Sequence, residues 1–359
     1  MYLTQGLHRS VQRQPDAPAT VFGERVRTFR EQTDRIARLG GALRGLGVRN
    51  GERVGILALN SDRYAEFLLA VPWANGVLNP VNIRWSPTEI AYSLKESQTD
   101  ILFVDDTFVS AVSALQDAYP PLRTVVHMGD GAPPDGMLGY EDLIAGSQPV
   151  DDARRGGDQL AAILYTGGTT GFPKGVMLSH SNLLTSAYGA EVTTQTGSRD
   201  DSMLIATPMF HGAAIARWLT HSVLGNVHVI VPAFEPVAVM KAIERHRIHD
   251  VVLIPTMIQM LVDHPEVAHH DLSSVHTFAY GASPITASVL ERAMKVFPQA
   301  SFTQFYGMTE LSPITTALLH ADHGDSRRAR SGGRAAAHAE VRIVDANDNE
   351  VPRGTMPLS

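Results

Sequence analysis

Short apolar runs alternate with longer amphipathic stretches over most of the chain. "RVGILAL" (Arg53–Leu59) and "DILFVDD" (Asp100–Asp106) are strand-like, while "RIARLGGALRGLGV" (Arg35–Val48) carries the three-to-four-residue apolar spacing of a helix. This rhythm, from about Arg35 to Val150, is the one expected of βα units on a parallel sheet. Between Val126 and Gly157 the chain turns rich in Gly, Pro and Asp ("HMGDGAPPDGM", "PVDDARRGGD"), which predicts an exposed loop leading to a boundary. A second regular block follows. Helix-like "EPVAVMKAIERHRI", "PTMIQMLVDH" and "SPITASVLERAMKVF" alternate there with strand-like "DVVLI", "HTFAYG" and "SFTQFYG". Two of these strands end in glycine-containing loops at Gly281 and Gly307, where ligands of open α/β sheets usually sit. After Ala321 the polar, basic run "DHGDSRRARSGGRAAAHAE" predicts a mobile surface segment before a last strand, "EVRIVD". The pattern divides the chain into α/β blocks at 1–155 and 156–325 and a remainder at 326–359, with no internal repeat.

Composition narrows the function. A chain of 359 residues buries a sizeable core without disulfide or metal staples. Its 37 acidic residues against 30 Lys and Arg give a net charge of −7, which argues against nonspecific attraction to nucleic acid and for a small-molecule site. With no cysteine, disulfides, thiolate metal sites and cysteine nucleophiles are excluded, so any thiol must come from a substrate. The N-terminus lacks the apolar core of a signal peptide, and the most apolar early run, Phe67–Val81, is interrupted by Pro72, Asn75, Gly76, Asn79 and Pro80. The expectation is a cytoplasmic protein without a membrane span.

The chemistry concentrates in "YTGGTTGFPKGV" (Tyr165–Val176). Glycines let backbone N–H groups converge on an anion, and threonine hydroxyls and a lysine add donors, so the loop suits phosphate. It is not the common P-loop, since Lys174 is flanked by Pro173 and Gly175, and it is not GxGxxG. A plain glycine-rich hairpin between "LAAILY" and "VML" is the alternative. The other histidines, including His246, His249, His269 and His270, show no metal-ligand spacing and read as solvated surface.

The order of residues in this loop resembles the signature phosphate loop of the adenylate-forming superfamily, which contains acyl-CoA synthetases, 4-coumarate-CoA ligases and luciferases. Three further stretches follow in that family's order. "PMFHGAA" (Pro208–Ala214) resembles its gate motif, "YGASPI" (Tyr280–Ile285) its adenine loop, and "QFYGMTE" (Gln304–Glu310) the motif serving the α-phosphate and magnesium. Weaker echoes, among them "NPVNIRWSPTEI", extend the likeness from about Pro15 to Gly354.

The resemblance implies an α/β fold, the large N-terminal domain of the adenylate-forming enzymes: two α/β subdomains with mostly parallel sheets and the start of a smaller β subdomain. It implies an AMP-forming acid–thiol ligase that uses ATP, Mg²⁺ and coenzyme A to convert a carboxylic acid to acyl-AMP and then to a thioester. Thr166, Gly167, Gly168, Thr169, Thr170, Gly171 and Lys174 would hold the β- and γ-phosphates. Thr309 would donate to the α-phosphate and Glu310 would bind Mg²⁺. Gly281, Ala282, Ser283, Gln304, Tyr306, Gly307 and Met308 would border the nucleotide, and His211 would gate the path of the carboxylate. The acyl pocket would be lined by Ala213, Ala214, Arg217, Trp218, Tyr280, Phe305, Pro313 and Ile314. No aspartate stands near the gate, which disfavours an amino acid, and Phe305 replaces the glycine of 4-coumarate ligases. A fatty or other apolar acid, rather than a fixed aryl acid, is therefore the expected substrate. Small molecules are the expected partners, with no nucleic acid and no integral membrane contact; a homodimer is left open.

The chain ends in "TMPLS" where the family continues into a small C-terminal domain, so the resemblance implies that this polypeptide adenylates poorly. Transfer to a carrier protein, or a silent nucleotide- or acyl-binding module, are the alternative readings.

Overall fold

A computed structural model describes residues 1–167, 172–198, 200–325 and 327–354. Two sheets dominate it. In the seven-stranded sheet Leu138–Gly139, Thr124–His127, Ile101–Val104, Arg53–Leu57, Val77–Pro80 and Leu160–Thr166 lie side by side in parallel, and Lys174–Ser179 closes the edge antiparallel to Leu160–Thr166. The nine-stranded sheet has a parallel centre of Ser301–Tyr306, Thr277–Gly281, Asp250–Leu253, Ser202–Ile205, Val227–Ile230 and Pro18–Phe22. Antiparallel strands border it: Thr316–Leu318 and Arg334–Ala335 on one side, Arg25–Thr28 on the other. The α/β architecture with mostly parallel sheets is thus the one the alternating pattern predicts.

The sheets interleave along the chain. Pro18–Thr28 joins the sheet built otherwise from residues beyond 200, and Leu160–Ser179 completes the sheet built from residues 53–139. Neither sheet respects a division at residue 155, because a strand joins whichever edge offers unpaired backbone groups. The boundary region also differs from the predicted loop. Within it Tyr140–Gly146 is a helix whose Tyr140 is fully buried and donates to Glu66 Oε2 at 2.7 Å. The flanking glycines and prolines hide this short apolar element from a periodicity reading.

The predicted strand "EVRIVD" does not join either sheet. Val341 and Ile343 are exposed, and Val344 pairs only with Glu350 as an isolated bridge. The basic run before it holds two 3₁₀ turns, His320–Gly324 and Arg328–Arg330, and the edge strand Arg334–Ala335. Local sequence explains several helix starts. Thr28, Ser86 and Ser179 each form a capping box with the residue three positions on, opening Phe29–Gly45, Pro87–Glu96 and His180–Thr194. The largest core cluster packs Ile36, Leu39, Phe67, Phe103 and Leu164 with Trp218 and Leu219, so it spans both sheets. Among the described residues no helix is long and apolar enough to cross a membrane.

Candidate active site

The phosphate-binding candidate is a hairpin. Thr166 and Lys174 face each other as the last cross-strand pair of Leu160–Thr166 and Lys174–Ser179. Both flanks of the loop are anchored on the helix Pro87–Glu96. Tyr165 donates its hydroxyl to Ser93 O at 3.0 Å and to the Glu96 carboxylate, and the Phe172 ring stacks on Tyr92 with centroids 4.5 Å apart. Gly167 and Lys174 are exposed. A Cβ added at Gly167 meets nothing within 4 Å, so packing inside the chain does not call for glycine there. Gly168, Thr169, Thr170 and Gly171 lie outside the described residues.

The strand Lys174–Ser179 packs beside the 3₁₀ turn Thr309–Leu311. That contact brings Lys174's hairpin to Thr309, half-buried, and Glu310, exposed. The turn follows the strand Ser301–Tyr306 through Gly307, whose backbone runs hard against a neighbour: a Cβ there would stand 1.7 Å from Pro313 O. At the end of the adjacent strand, a Cβ on Gly281 would stand 2.2 Å from Phe305 O. Only glycine fits either place. Next to them Ala282 (φ 67°) and Ser312 (φ 74°) hold left-handed backbone that residues with a side chain adopt at a cost of order 1–3 kcal/mol each.

Two cavities open between these loops and share Ala282, Phe305, Tyr306 and Gly307 as a wall. One, of about 370 Å³, is bordered by Ser283, Gln304 and, from the basic run, Arg330 and Gly332. The other, of about 290 Å³, descends along the helix Gly212–Leu224 past His211, Ala213, Ala214 and Arg217, with Tyr280, Met257, Phe305, Pro313 and Ile314 opposite; Met308 and Thr309 reach its mouth.

His211 is the N-cap of that helix, yet its side chain makes no capping bond and tilts against Phe210 at 4.1 Å between centroids. The ring is open to the cavity mouth on one side. Crowding by protein on the others, and secondarily the Arg84 charge, push its pKa down to about 4. His211 is therefore neutral at pH 7. Its contribution to stability is fully present above the ordinary value of 6.5 and is lost as pH falls toward 4, because the unfolded chain takes up the proton first. An NMR titration is expected to show the His211 ring unchanged from pH 7 to about 5; a midpoint near 6.5 would mean that the ring is solvated.

Trp218 is not among the residues lining either cavity. It is buried one turn beyond Ala214, in the main core, with its ring 6.0 Å from that of His228. An assignment by position along the motif could not tell the cavity face of this helix from its core face. Tyr280 lines the cavity and is held there, its hydroxyl 2.8 Å from His323 Nε2 and 3.3 Å from Gln304 Oε1.

The structure adds residues that the motifs left out. Arg84 reaches the cavity mouth from the other sheet's side of the molecule. Asn60, buried, spans the gap between the sheets: its amide donates to Thr207 O at 3.0 Å and Val231 O at 3.3 Å and accepts from Met209 N at 2.8 Å, fixing the loop that carries His211. Arg84 stands within the stretch "NPVNIRWSPTEI", but Asn60 carries no signal by spacing. His249 also differs from the surface reading. It gathers with His276 and Asp201 at the N-terminal ends of three adjacent strands, where their ligand atoms lie within 4.8 Å of one another. Residues so far apart in sequence meet only because those strands are neighbours.

The family model described as "AMP-binding enzyme" matches residues 7–356. The feruloyl-CoA synthase of an Amycolatopsis species is 32% identical over 350 residues, covering 96% of this chain and 67% of that protein. The medium/long-chain-fatty-acid–CoA ligase FadD8 of Mycobacterium tuberculosis is 31% identical over 360 residues, covering 96% and 61%. Among solved structures, ATP-bound MatB from Rhodopseudomonas palustris superposes with a TM-score of 0.84 at 25% identity, covering 99% of this chain and 69% of that one. The chain spans about two thirds of the length of these curated relatives.

Proposed function

The chain belongs to the AMP-binding enzyme family, among its AMP-forming acyl- and aryl-CoA ligases, and from that premise we propose that it activates an apolar carboxylic acid with ATP for transfer to coenzyme A. The observation that carries this reading is the pair of cavities meeting at Ala282, Phe305, Tyr306 and Gly307. A nucleotide in one and an acid in the other would bring the α-phosphate and the carboxylate together at the shared wall. Such a reaction needs no covalent nucleophile from the protein, only positioning and stabilisation of charge.

In this reading Thr166, Gly167 and Lys174 hold the terminal phosphates, along with Gly168, Thr169, Thr170 and Gly171. The exposed glycine with open space around it fits a backbone that must approach an anion. Thr309 donates to the α-phosphate, and Glu310, exposed beside the hairpin, fits a hard cation. Mg²⁺ there would neutralise charge on the phosphate oxygens. Gly281, Ala282 and Ser283 give adenine a thin backbone edge, Tyr306 a stacking face, and Gln304 and Met308 the remaining border. Neutral His211 stands where the carboxylate passes and adds no positive charge that would trap it.

Support for the acid's class comes from the second cavity. Its volume of about 290 Å³ is at the small end for ligand sites, which suits a single aryl ring or a medium chain better than a long fatty tail and so departs from the expectation of a fatty rather than an aryl acid. Phe305, half-buried and packed with Ile314, limits it. Phe305→Gly is expected to shift preference toward acids longer by several carbons, read as relative kcat/KM over a homologous series; an unchanged optimum would remove Phe305 from the pocket floor.

The function is tested by acid-dependent ATP–pyrophosphate exchange with Mg²⁺ over aryl, medium-chain and long-chain acids, with Lys174→Ala plus Glu310→Ala as control. Exchange that follows one class of acid and vanishes in the control supports the proposal. ATP binding with no exchange from any acid, even when the rest of a relative's chain is supplied in trans, would count against it.

A further inference from the structure

The inner end of the acyl cavity is not wholly apolar. Arg217 lines it and is 1% exposed. Its Nη2 donates to Asp250 Oδ2 and lies 3.1 Å from His221 Nε2, which is itself 3.4 Å from the same carboxylate. Its Nε and Nη1, both almost wholly shielded from solvent, have no hydrogen-bond partner among the described residues, and neither does Asp250 Oδ1. Two buried guanidinium donors without acceptors cost free energy that folding alone does not require. The Phe305 ring lies across the guanidinium, with Cζ 6.0 Å from its centroid, so an acceptor that reaches these shielded donors must displace side chains at this end of the cavity.

Resting on the ligase reading of this cavity, we propose that Arg217 recognises a neutral hydrogen-bond acceptor on the acid, so that the site prefers carboxylic acids carrying a carbonyl, ether or hydroxyl oxygen at the end remote from the reacting carboxylate. The distance follows from the helix. His211 at the mouth and Arg217 at the inner end are six residues apart, roughly 9 Å of helix rise.

Charge decides why the acceptor is neutral. Asp250 already balances Arg217; although burial opposes ionisation, the neighbouring Arg217 charge holds the Asp250 carboxyl well below its usual range. Glu191 also faces this cluster, with burial pushing its pKa up and its Oε1 accepting Gly197 N–H at 3.0 Å. A second carboxylate on the substrate would lose its hydration and meet Asp250 rather than an unbalanced cation. An uncharged oxygen that enters beside the two unpartnered donors takes them without that penalty.

The test uses non-reacting acyl-sulfamoyl-adenosines on the full chain, with affinities read by calorimetry. The acyl parts are para-acetyl- and para-isopropyl-phenylpropanoyl, which match in shape and differ in one acceptor. The acetyl compound is expected to bind about tenfold more tightly. In Arg217→Met combined with Asp250→Asn, which removes both charges of the pair together, the ratio is expected to fall to about one, while affinity for adenosine sulfamate alone is unchanged. Arg217→Lys, with its shorter reach, is expected to be intermediate and serves if the double variant does not fold. Equal binding of the two compounds by the unaltered protein, or a preference that survives in the variants, would overturn the inference and leave the ligase reading intact. If neither acyl part adds affinity over adenosine sulfamate alone, the acyl cavity itself has been misread and both fall.

Discussion

Lys174→Ala is expected to lower acid-dependent ATP–pyrophosphate exchange by ~10²–10³-fold, the usual cost of removing one preorganised donor from a site of developing charge. Lys174 is exposed, makes the last cross-strand pair with Thr166, and belongs to the strand packed beside Thr309 and Glu310. Its removal leaves no cavity in the core, and a surface substitution of this kind changes stability by about 0.5 kcal/mol or less. The melting temperature should therefore hold while exchange collapses. Exchange at the unaltered rate would show that the hairpin's lysine points to solvent and that the loop is only a turn.

Gly307→Ala is expected to damage the site through the backbone. Its Cβ would meet Pro313 O at 1.7 Å, Pro313 C at 2.8 Å and Ile314 Cα at 3.2 Å, all main-chain or Cα atoms that cannot swing aside as a side chain can. The strand end and the segment after the turn are tied together here, Thr315 N donating to Tyr306 O at 2.9 Å. Relief of the clash must move the turn carrying Thr309 and Glu310. Overpacking of this kind costs about 1–3 kcal/mol, and a shift of ~1 Å in catalytic geometry can cost ~10²-fold in rate. Thermal unfolding should thus show a lower melting temperature together with a loss of exchange. Gly131→Ala, where a Cβ meets nothing within 4 Å, is the matched control and should change neither. A Gly307→Ala protein as active as its parent would mean that the two segments separate freely.

The predicted pieces differ in how locally they are encoded. The strands Thr277–Gly281 and Ser301–Tyr306 are legible because each is a short apolar run closed by a glycine, and as parallel neighbours they carry Gly281 and Gly307 to the same carboxyl end of the sheet. The strand expected in "EVRIVD" illustrates the reverse: its alternation is sound, but a strand needs a partner edge, and among the described residues it meets only the chain just beyond it, at the isolated Val344–Glu350 bridge. The helix Tyr140–Gly146 carries no such signal, because its two buried residues, Tyr140 and Ile144, are too few to show a period.

By itself the sequence determined the α/β class, the order of the four loops and the residue types that phosphate chemistry needs, since turn formation, capping and apolar period act over a few neighbouring residues. Only the tertiary structure decided that Lys174's hairpin lies beside Thr309, that Asn60 holds the loop of His211 across two sheets, that Trp218 faces the core, and that Arg217 lines the cavity with two buried donors unpartnered among the described residues. Each of these depends on which strands share an edge and which face of a helix meets them. Those choices are made by packing between segments tens to hundreds of residues apart, which local spacing does not record.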